Sequence, residues 1–228
     1  MATRLLEDDG GFDVTVLEPR TPARSLVFAA GRGGHPGRHA GLLQAFADRG
    51  FRVVAPHFDM LATPVPAREA LEERGRRLAA AVARLCPPDA PLCGAGHSLG
   101  ATLLLALAGA RATTLAGETL DLPLPRAFHR LALFAPPTDF FRRPDALAAV
   151  TVPIQLWAGG QDRVTPPAQA RFLAEALRTR APVDLRLIAA AGHFSFMDDL
   201  PPNGADPHPD RPGFLRDLAG EAGRFLDS

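Results

Sequence analysis

Apolar and polar residues fall along this chain in two alternating rhythms. Phe12-Asp13-Val14-Thr15-Val16-Leu17 alternates with β-branched residues and predicts an edge strand. After breaks at Pro19 and Pro22, Ser25-Leu26-Val27-Phe28-Ala29-Ala30 is apolar throughout, the pattern of a strand buried on both faces. Further apolar runs predict strands at Phe51-Arg52-Val53-Val54-Ala55-Pro56, at residues 91–95, at Leu131-Ala132-Leu133-Phe134-Ala135, at residues 153–158 and at Val183-Asp184-Leu185-Arg186-Leu187-Ile188. Between them the spacing turns helical: residues 42–49 closed by Gly50, an amphipathic stretch at 69–85, an alanine-leucine helix at 101–110 with almost nothing polar, and helices at 166–177 and 212–226.

Two stretches are less regular. Residues 111–130 are interrupted by Pro123 and Pro125, with a short helical piece around Glu118 and Thr119, and a short helical segment spans 143–150. The proline-rich run at 201–212 reads as a surface loop. Strands alternating with helices predict an α/β architecture, a mostly parallel sheet covered on both sides. Right-handed crossovers then bring the loops that follow successive strands to one edge of that sheet. At 228 residues without a convincing linker, one domain is expected.

Composition narrows the chemistry. Lys+Arg and Asp+Glu both number 25, so no strong field advertises nucleic acid or an acidic membrane as partner. Every basic residue among those 25 is arginine, which excludes a Schiff-base lysine, a phosphate-loop lysine and, with tyrosine also absent, a Tyr-Lys dehydrogenase pair. Cys86 and Cys93 are too few for a disulfide framework or a cysteine-rich metal site and read as small buried hydrophobes of a reducing compartment. Glu7, Asp8 and Asp9 stand where a signal peptide would need an apolar core, and no run is long enough to span a membrane, so a cytoplasmic protein is expected. Nothing in the sequence specifies an oligomeric state.

The candidate chemistry centres on Gly96-His97-Ser98-Leu99-Gly100, lying between a predicted strand and a buried helix. A serine on such a turn adopts a strained backbone that pushes its hydroxyl out above the sheet edge, and the flanking glycines let the chain pass without Cβ clashes. The helix that begins there aims free N–H groups at the same point. To attack a carbonyl, Ser98 needs a base and a carboxylate to orient that base. His193, in Gly192-His193-Phe194-Ser195-Phe196, follows the last strand and is the candidate base; His35, His39, His57, His97, His129 and His208 lack that placement. Asp162 lies where the strand before it ends in glycines, in Gly159-Gly160-Gln161-Asp162, with Pro166 starting the next helix; it is preferred over Asp139, which also follows a strand, and Ser98, Asp162, His193 is a chain order expected of this arrangement. The developing oxyanion would take the Leu99 N–H and, from the loop after Ala30, the Arg32 N–H, with Gly31 and Gly33 as neighbours that could serve instead.

These residues resemble the α/β-hydrolase superfamily from about the first strand to the last helix. Within it, Gly96-His97-Ser98-Leu99-Gly100 followed by Ala106-Leu107-Ala108-Gly109-Ala110, together with Gly192-His193-Phe194-Ser195-Phe196, is similar to the dienelactone-hydrolase-like serine hydrolases. The chain has Ala30-Gly31 where relatives carry histidine-glycine, and Ser98 where dienelactone hydrolases proper use cysteine. The resemblance implies a serine hydrolase acting on a small-molecule ester or thioester through an acyl-enzyme, with no metal or organic cofactor. Little sequence separates Ala135 from Pro153, so the pocket should be nearly capless, open and shallow, lined from loops bearing Phe58, Met60, Phe140, Phe141, Phe194 and Phe196.

Two other readings compete. Gly31-Arg32-Gly33-Gly34 after a strand, with Asp59 beyond the next strand, suggests a dinucleotide-binding oxidoreductase, but its spacing departs from G-x-G-x-x-G and leaves the Ser98 motif unexplained. A non-catalytic binding module on the same fold gives no reason for all three of Ser98, Asp162 and His193.

Overall fold

In a computed structural model describing residues 2–7, 11–63, 65–122, 126–202 and 204–228, eight strands form one sheet. They are β1 (Ala2–Leu6), β2 (Phe12–Leu17), β3 (Arg24–Ala29), β4 (Phe51–Pro56), β5 (Leu92–His97), β6 (Arg130–Phe134), β7 (Ile154–Gly159) and β8 (Val183–Ile188), in the order β1-β2-β4-β3-β5-β6-β7-β8. β1 and β2 are antiparallel to their neighbours, and every pairing from β4 through β8 is parallel.

The helices are α1 (Ala40–Asp48), α2 (Arg68–Leu85), α3 (Leu99–Leu107), α4 (Pro167–Leu177) and α5 (Arg211–Asp227). Alternate residues of the central strands feed two cores. Val27, Ala29, Leu131, Leu133 and Leu156 pack with α2, α3 and α4, while Leu26, Phe28, Ala132, Phe134 and Trp157 pack with α1 and α5. All nine residues of α3 are buried, which is why it shows no polar face in the sequence.

After β3 the chain turns to one side to make β4, then crosses back to lay β5 on the other side of β3. The loops leaving β3 and β5 therefore diverge and open a crevice at the C-terminal ends of these two strands. Ser98 and the glycine-rich loop after β3 meet there.

Three expectations are corrected. Phe12–Leu17 is not at the edge of the sheet, because the short, mostly exposed β1 pairs outside it and covers its open backbone groups. Around Glu118 and Thr119 there is no helix: Thr113 and Thr119 form a β-bridge around a turn at Gly117, whose φ is 86°. Residues 143–150 form consecutive turns rather than a helix, with Ala146, Ala148 and Val150 each donating to the carbonyl three residues back. Asp145, at φ 59°, breaks the helical path there. Pro123, Pro125, Asp8 and Asp9 lie outside the described residues. Cys86 and Cys93 are both buried and unpaired. No helix among the described residues is long and apolar enough to cross a membrane.

Candidate active site

Ser98 sits at φ 54°, ψ −126°, one of three non-glycine residues with positive φ among the described residues. A backbone of this kind costs on the order of 1–3 kcal/mol and persists only where its surroundings over-determine it. Here the Ser98 N–H donates to the Phe134 carbonyl at 2.8 Å, and the wholly buried α3 begins at the next residue. The flanking glycines are steric requirements: a Cβ at Gly100 would lie 2.0 Å from the Ala29 oxygen, and one at Gly96 would lie 2.9 Å from the Ala101 nitrogen. The strand exit and the helix start thus press together, and the serine side chain is what remains accessible.

His193 begins a short 3-10 turn, His193–Phe196, after β8. Its Nε2 lies 3.0 Å from Ser98 Oγ and its Nδ1 lies 2.8 Å from Asp162 Oδ2. Because an ionised carboxylate can only accept, Nδ1 carries the proton and Nε2 is left to accept from the serine hydroxyl. The Asp162 carboxylate is fully buried and fully used: Oδ1 accepts from the Val164 and Thr165 N–H groups, and Oδ2 accepts from the Thr165 hydroxyl at 2.7 Å as well as from His193. Burial pushes this carboxyl up, but the bonds from His193 and Thr165 outweigh it and leave Asp162 below the usual carboxylate value. Asp139, the alternative, is half exposed and pairs with Arg142.

The His193 turn is held from three sides. The Gly192 N–H donates to Ser195 Oγ, which donates to Asp206, and Asp206 faces Arg211 at 3.2 Å. Asp198 accepts from the Gly41 and Leu42 N–H groups at the start of α1. His97 Nε2 donates to the His193 carbonyl at 3.0 Å. Behind it the His39 ring lies 5.3 Å from the His97 ring, so two buried imidazoles back the one at 193. Burial, then the neighbouring His193 and His39, hold His97 well below the usual imidazole range. Burial also pushes His39 down to about 4. Both rings are therefore neutral near pH 7.

The Leu99 N–H opens α3 and the Arg32 N–H follows β3; no backbone carbonyl among the described residues accepts from either. The Arg32 side chain turns away, donating to the Leu61 and Ala62 carbonyls. A cleft of about 100 Å³ lies over Ser98, with Gly31, Arg32, His35, Arg38, His193 and Phe194 among its lining.

Of the six residues expected to line the pocket, Phe194 does so. Phe141 and Phe196 are 1% and 0% exposed and fill the two cores, Phe196 against Phe134 and Phe214. Phe58 is buried beneath the Arg74 guanidinium, Phe140 packs against the core, and Met60 is 69% exposed. The remaining histidines serve locally: His57 with Thr15, His35 with the Gly37 N–H, His208 stacked on Phe214, and His129 exposed. Thr165 and Arg74 were not singled out by motif. Thr165 lies in a loop where its hydroxyl has no sequence signature, whereas Arg74 stands within the apolar stripe of α2, between Leu71 and Leu78.

No family model matches the chain, and no curated protein matches it in sequence. Among solved structures, esterase 2 of Thermogutta terrifontis, phosphoramylated by tabun, superposes with a TM-score of 0.71 at 17% identity over 99% of this chain and 93% of the esterase. The butyrate-bound form of the same esterase gives 0.71 at 16% identity, over 98% and 93%. A candidate α/β hydrolase of unknown function from Agrobacterium tumefaciens gives 0.68 at 17% identity, over 99% and 95%. Likeness at this level of identity speaks for architecture. The chain is built on the α/β-hydrolase fold.

Proposed function

We propose that this protein is a serine hydrolase, one domain throughout, that cleaves a carboxylic ester or thioester through an acyl-enzyme. The observation that carries the reading is the relay from Ser98 Oγ through His193 to Asp162, at 3.0 and 2.8 Å, in the crevice beside β3 and β5. In the proposed cycle His193 Nε2 takes the Ser98 proton as Oγ bonds to the acyl carbon, and Asp162 steadies the imidazolium that forms. The carbonyl oxygen, now an anion, takes the N–H groups of Leu99 and Arg32. Collapse expels the alcohol or thiol, which leaves with the proton from His193. Water, deprotonated by the same ring, then releases the acid and restores Ser98.

The substrate we favour has a short acyl chain. The cleft over Ser98 is small, about 100 Å³, which suits a short acyl chain better than a long one. The Thermogutta terrifontis esterase has been seen with propionate and with butyrate bound, which agrees with that size. The buried, unpaired cysteines suit the cytoplasm.

The test is a fluorophosphonate probe followed by ester kinetics. The wild type should be labelled and Ser98→Ala should not, and p-nitrophenyl acetate and butyrate should be turned over with higher kcat/KM than the decanoate. Labelling that survives in Ser98→Ala, or a wild type that is neither labelled nor active on any of these esters or their thioester counterparts, refutes the proposal.

A further inference from the structure

The buried face of α2 is read by Leu71, Leu78, Ala81 and Val82, and Arg74 falls on the same stripe. It is 3% exposed. Removing a guanidinium from water is costly unless its donors are satisfied, so its partners reveal what keeps it there. They are main-chain oxygens of two loops at the crevice: Nη1 donates to the Gly31 carbonyl at 2.8 Å, and Nη2 donates to the Arg32 carbonyl at 3.0 Å and to the Asp59 carbonyl. The guanidinium also lies over the Phe58 ring at 5.0 Å. Burial pushes Arg74 down to about 10, which leaves it charged near pH 7.

The Gly31 carbonyl and the Arg32 N–H belong to one peptide unit. In a trans peptide the two point in opposite directions, and there is no cis bond among the described residues. A cation that grips the oxygen from the α2 side therefore turns the Arg32 N–H toward the opposite side, where the loop meets Ser98. The approach there is close: a Cβ on Gly31 would stand 3.1 Å from Ser98 Cβ. The Gly34 N–H also donates to the Gly31 carbonyl, at 3.0 Å, but that one neutral bond closes a turn with glycines at 31, 33 and 34, whose backbone has more freedom to rearrange once the charged grip is gone. A charge on the carbonyl side also polarises the amide and strengthens its N–H as a donor.

We propose that Arg74 is the positioning residue of the oxyanion site, holding the Gly31–Arg32 peptide so that the Arg32 N–H faces the oxygen of the acyl group attacked by Ser98. This rests on the hydrolase reading above, and it gives the side chain a role in the transition state without contact to substrate.

The experiment compares wild type, Arg74→Met, Arg74→Lys and Arg74→Ala on a short acyl p-nitrophenyl ester, with the folded fraction taken from circular dichroism. Loss of one aligned oxyanion donor costs about 100- to 1,000-fold in kcat and a misaligned one less, so Arg74→Met should lose about 10- to 100-fold in kcat while KM moves by less than about threefold. Arg74→Lys, which keeps the charge but cannot span three carbonyls, should fall between. Millimolar guanidinium, with sodium chloride at equal ionic strength as the control, should raise kcat of Arg74→Ala and leave the wild type unchanged. A merely structural arginine would lower the melting temperature of these variants and leave kcat per folded molecule as in the wild type, with no guanidinium rescue; that result overturns the inference. If Arg74→Met and Arg74→Ala do not fold, Arg74→Lys decides: kcat equal to wild type overturns the inference, and a fall in kcat at constant KM supports it. A wild type without Ser98-dependent turnover defeats the hydrolase reading itself and is recognised before any Arg74 variant is made.

Discussion

Replacing His39 with glutamine should flatten the loss of stability that the protein suffers between about pH 6.5 and pH 4. His39 is 2% exposed, packed between the Phe28 and His97 rings, and burial holds it down to about 4 from an ordinary value of 6.5. The unfolded chain therefore takes up a proton in this window that the native state refuses, and stability falls as pH falls. For a group titrating at 6.5 unfolded and about 4 folded, the cost is about 2.5 kcal/mol at pH 4.5 and about 0.2 kcal/mol at pH 7. His97 acts in the same direction, and so, to a lesser extent, does the half-buried His57, which lies beside His35 and Asp13. Asp162, held below its usual value of 3.8, loses its stabilisation only at lower pH and does not contribute here. Glutamine keeps a donor for the Phe196 carbonyl but does not titrate, and its packing cost is the same at every pH. Urea unfolding of wild type and His39→Gln at several pH values between about 4.5 and 7 should therefore give curves whose separation changes by about 2 kcal/mol in favour of the variant as pH falls. Parallel curves would mean that native His39 takes up its proton as readily as the unfolded chain does, and would refute the picture of an imidazole kept neutral by burial behind the His193 turn.

Two substitutions test how that imidazole is oriented. Asp162→Asn should lower kcat on a short acyl ester by roughly 1,000- to 10,000-fold, through loss of the acceptor that fixes the His193 tautomer, whereas Asp139→Asn should leave kcat unchanged. Comparable losses in the two variants would remove Asp162 from the role. Thr165→Val deletes the hydroxyl that donates to Asp162 Oδ2 but keeps the two N–H groups on Oδ1, so thermal or urea unfolding should show about 1.5–3 kcal/mol of lost stability, with kcat reduced far less than in Asp162→Asn. A loss of activity as deep as that of Asp162→Asn would show that the hydroxyl, and not the carboxylate, orients the ring.

The strands that build the crevice were legible because each is a short apolar run bounded by glycine, proline or a change of period, and because β3, β5, β6 and β7 are buried on both faces. β1 was not, since Ala2–Leu6 is almost wholly exposed and is a strand only through its partner β2. The turns at 143–150 were read as helix because their apolar residues are helically spaced, whereas their shape follows from the left-handed Asp145 and from the Ala146 carbonyl accepting the Arg111 N–H. Phe141 and Phe196 looked like pocket residues because a phenylalanine after a strand can face either the cleft or the core, and local sequence does not distinguish the two.

The same division runs through the site. Ser98 could be singled out as a candidate because its constraints are local: glycines two residues away, a strand before it and a buried helix after it. Asp162 and His193 could be put forward as its partners because each lies in a loop after a late strand, and the structure brings both to the same crevice. The groups that aim them do so through side-chain contacts that no motif spells out, Thr165 on Asp162, Ser195 on Asp206 and Arg74 on the Gly31 carbonyl. One signal was nonetheless present. A charged residue in the apolar stripe of α2 is out of place on periodicity alone, and burial at that position demands a partner strong enough to compensate. Arg74 meets that demand with the backbone of the loop beside Ser98, so the residue that most violates the helix pattern is the one that links α2 to the proposed chemistry.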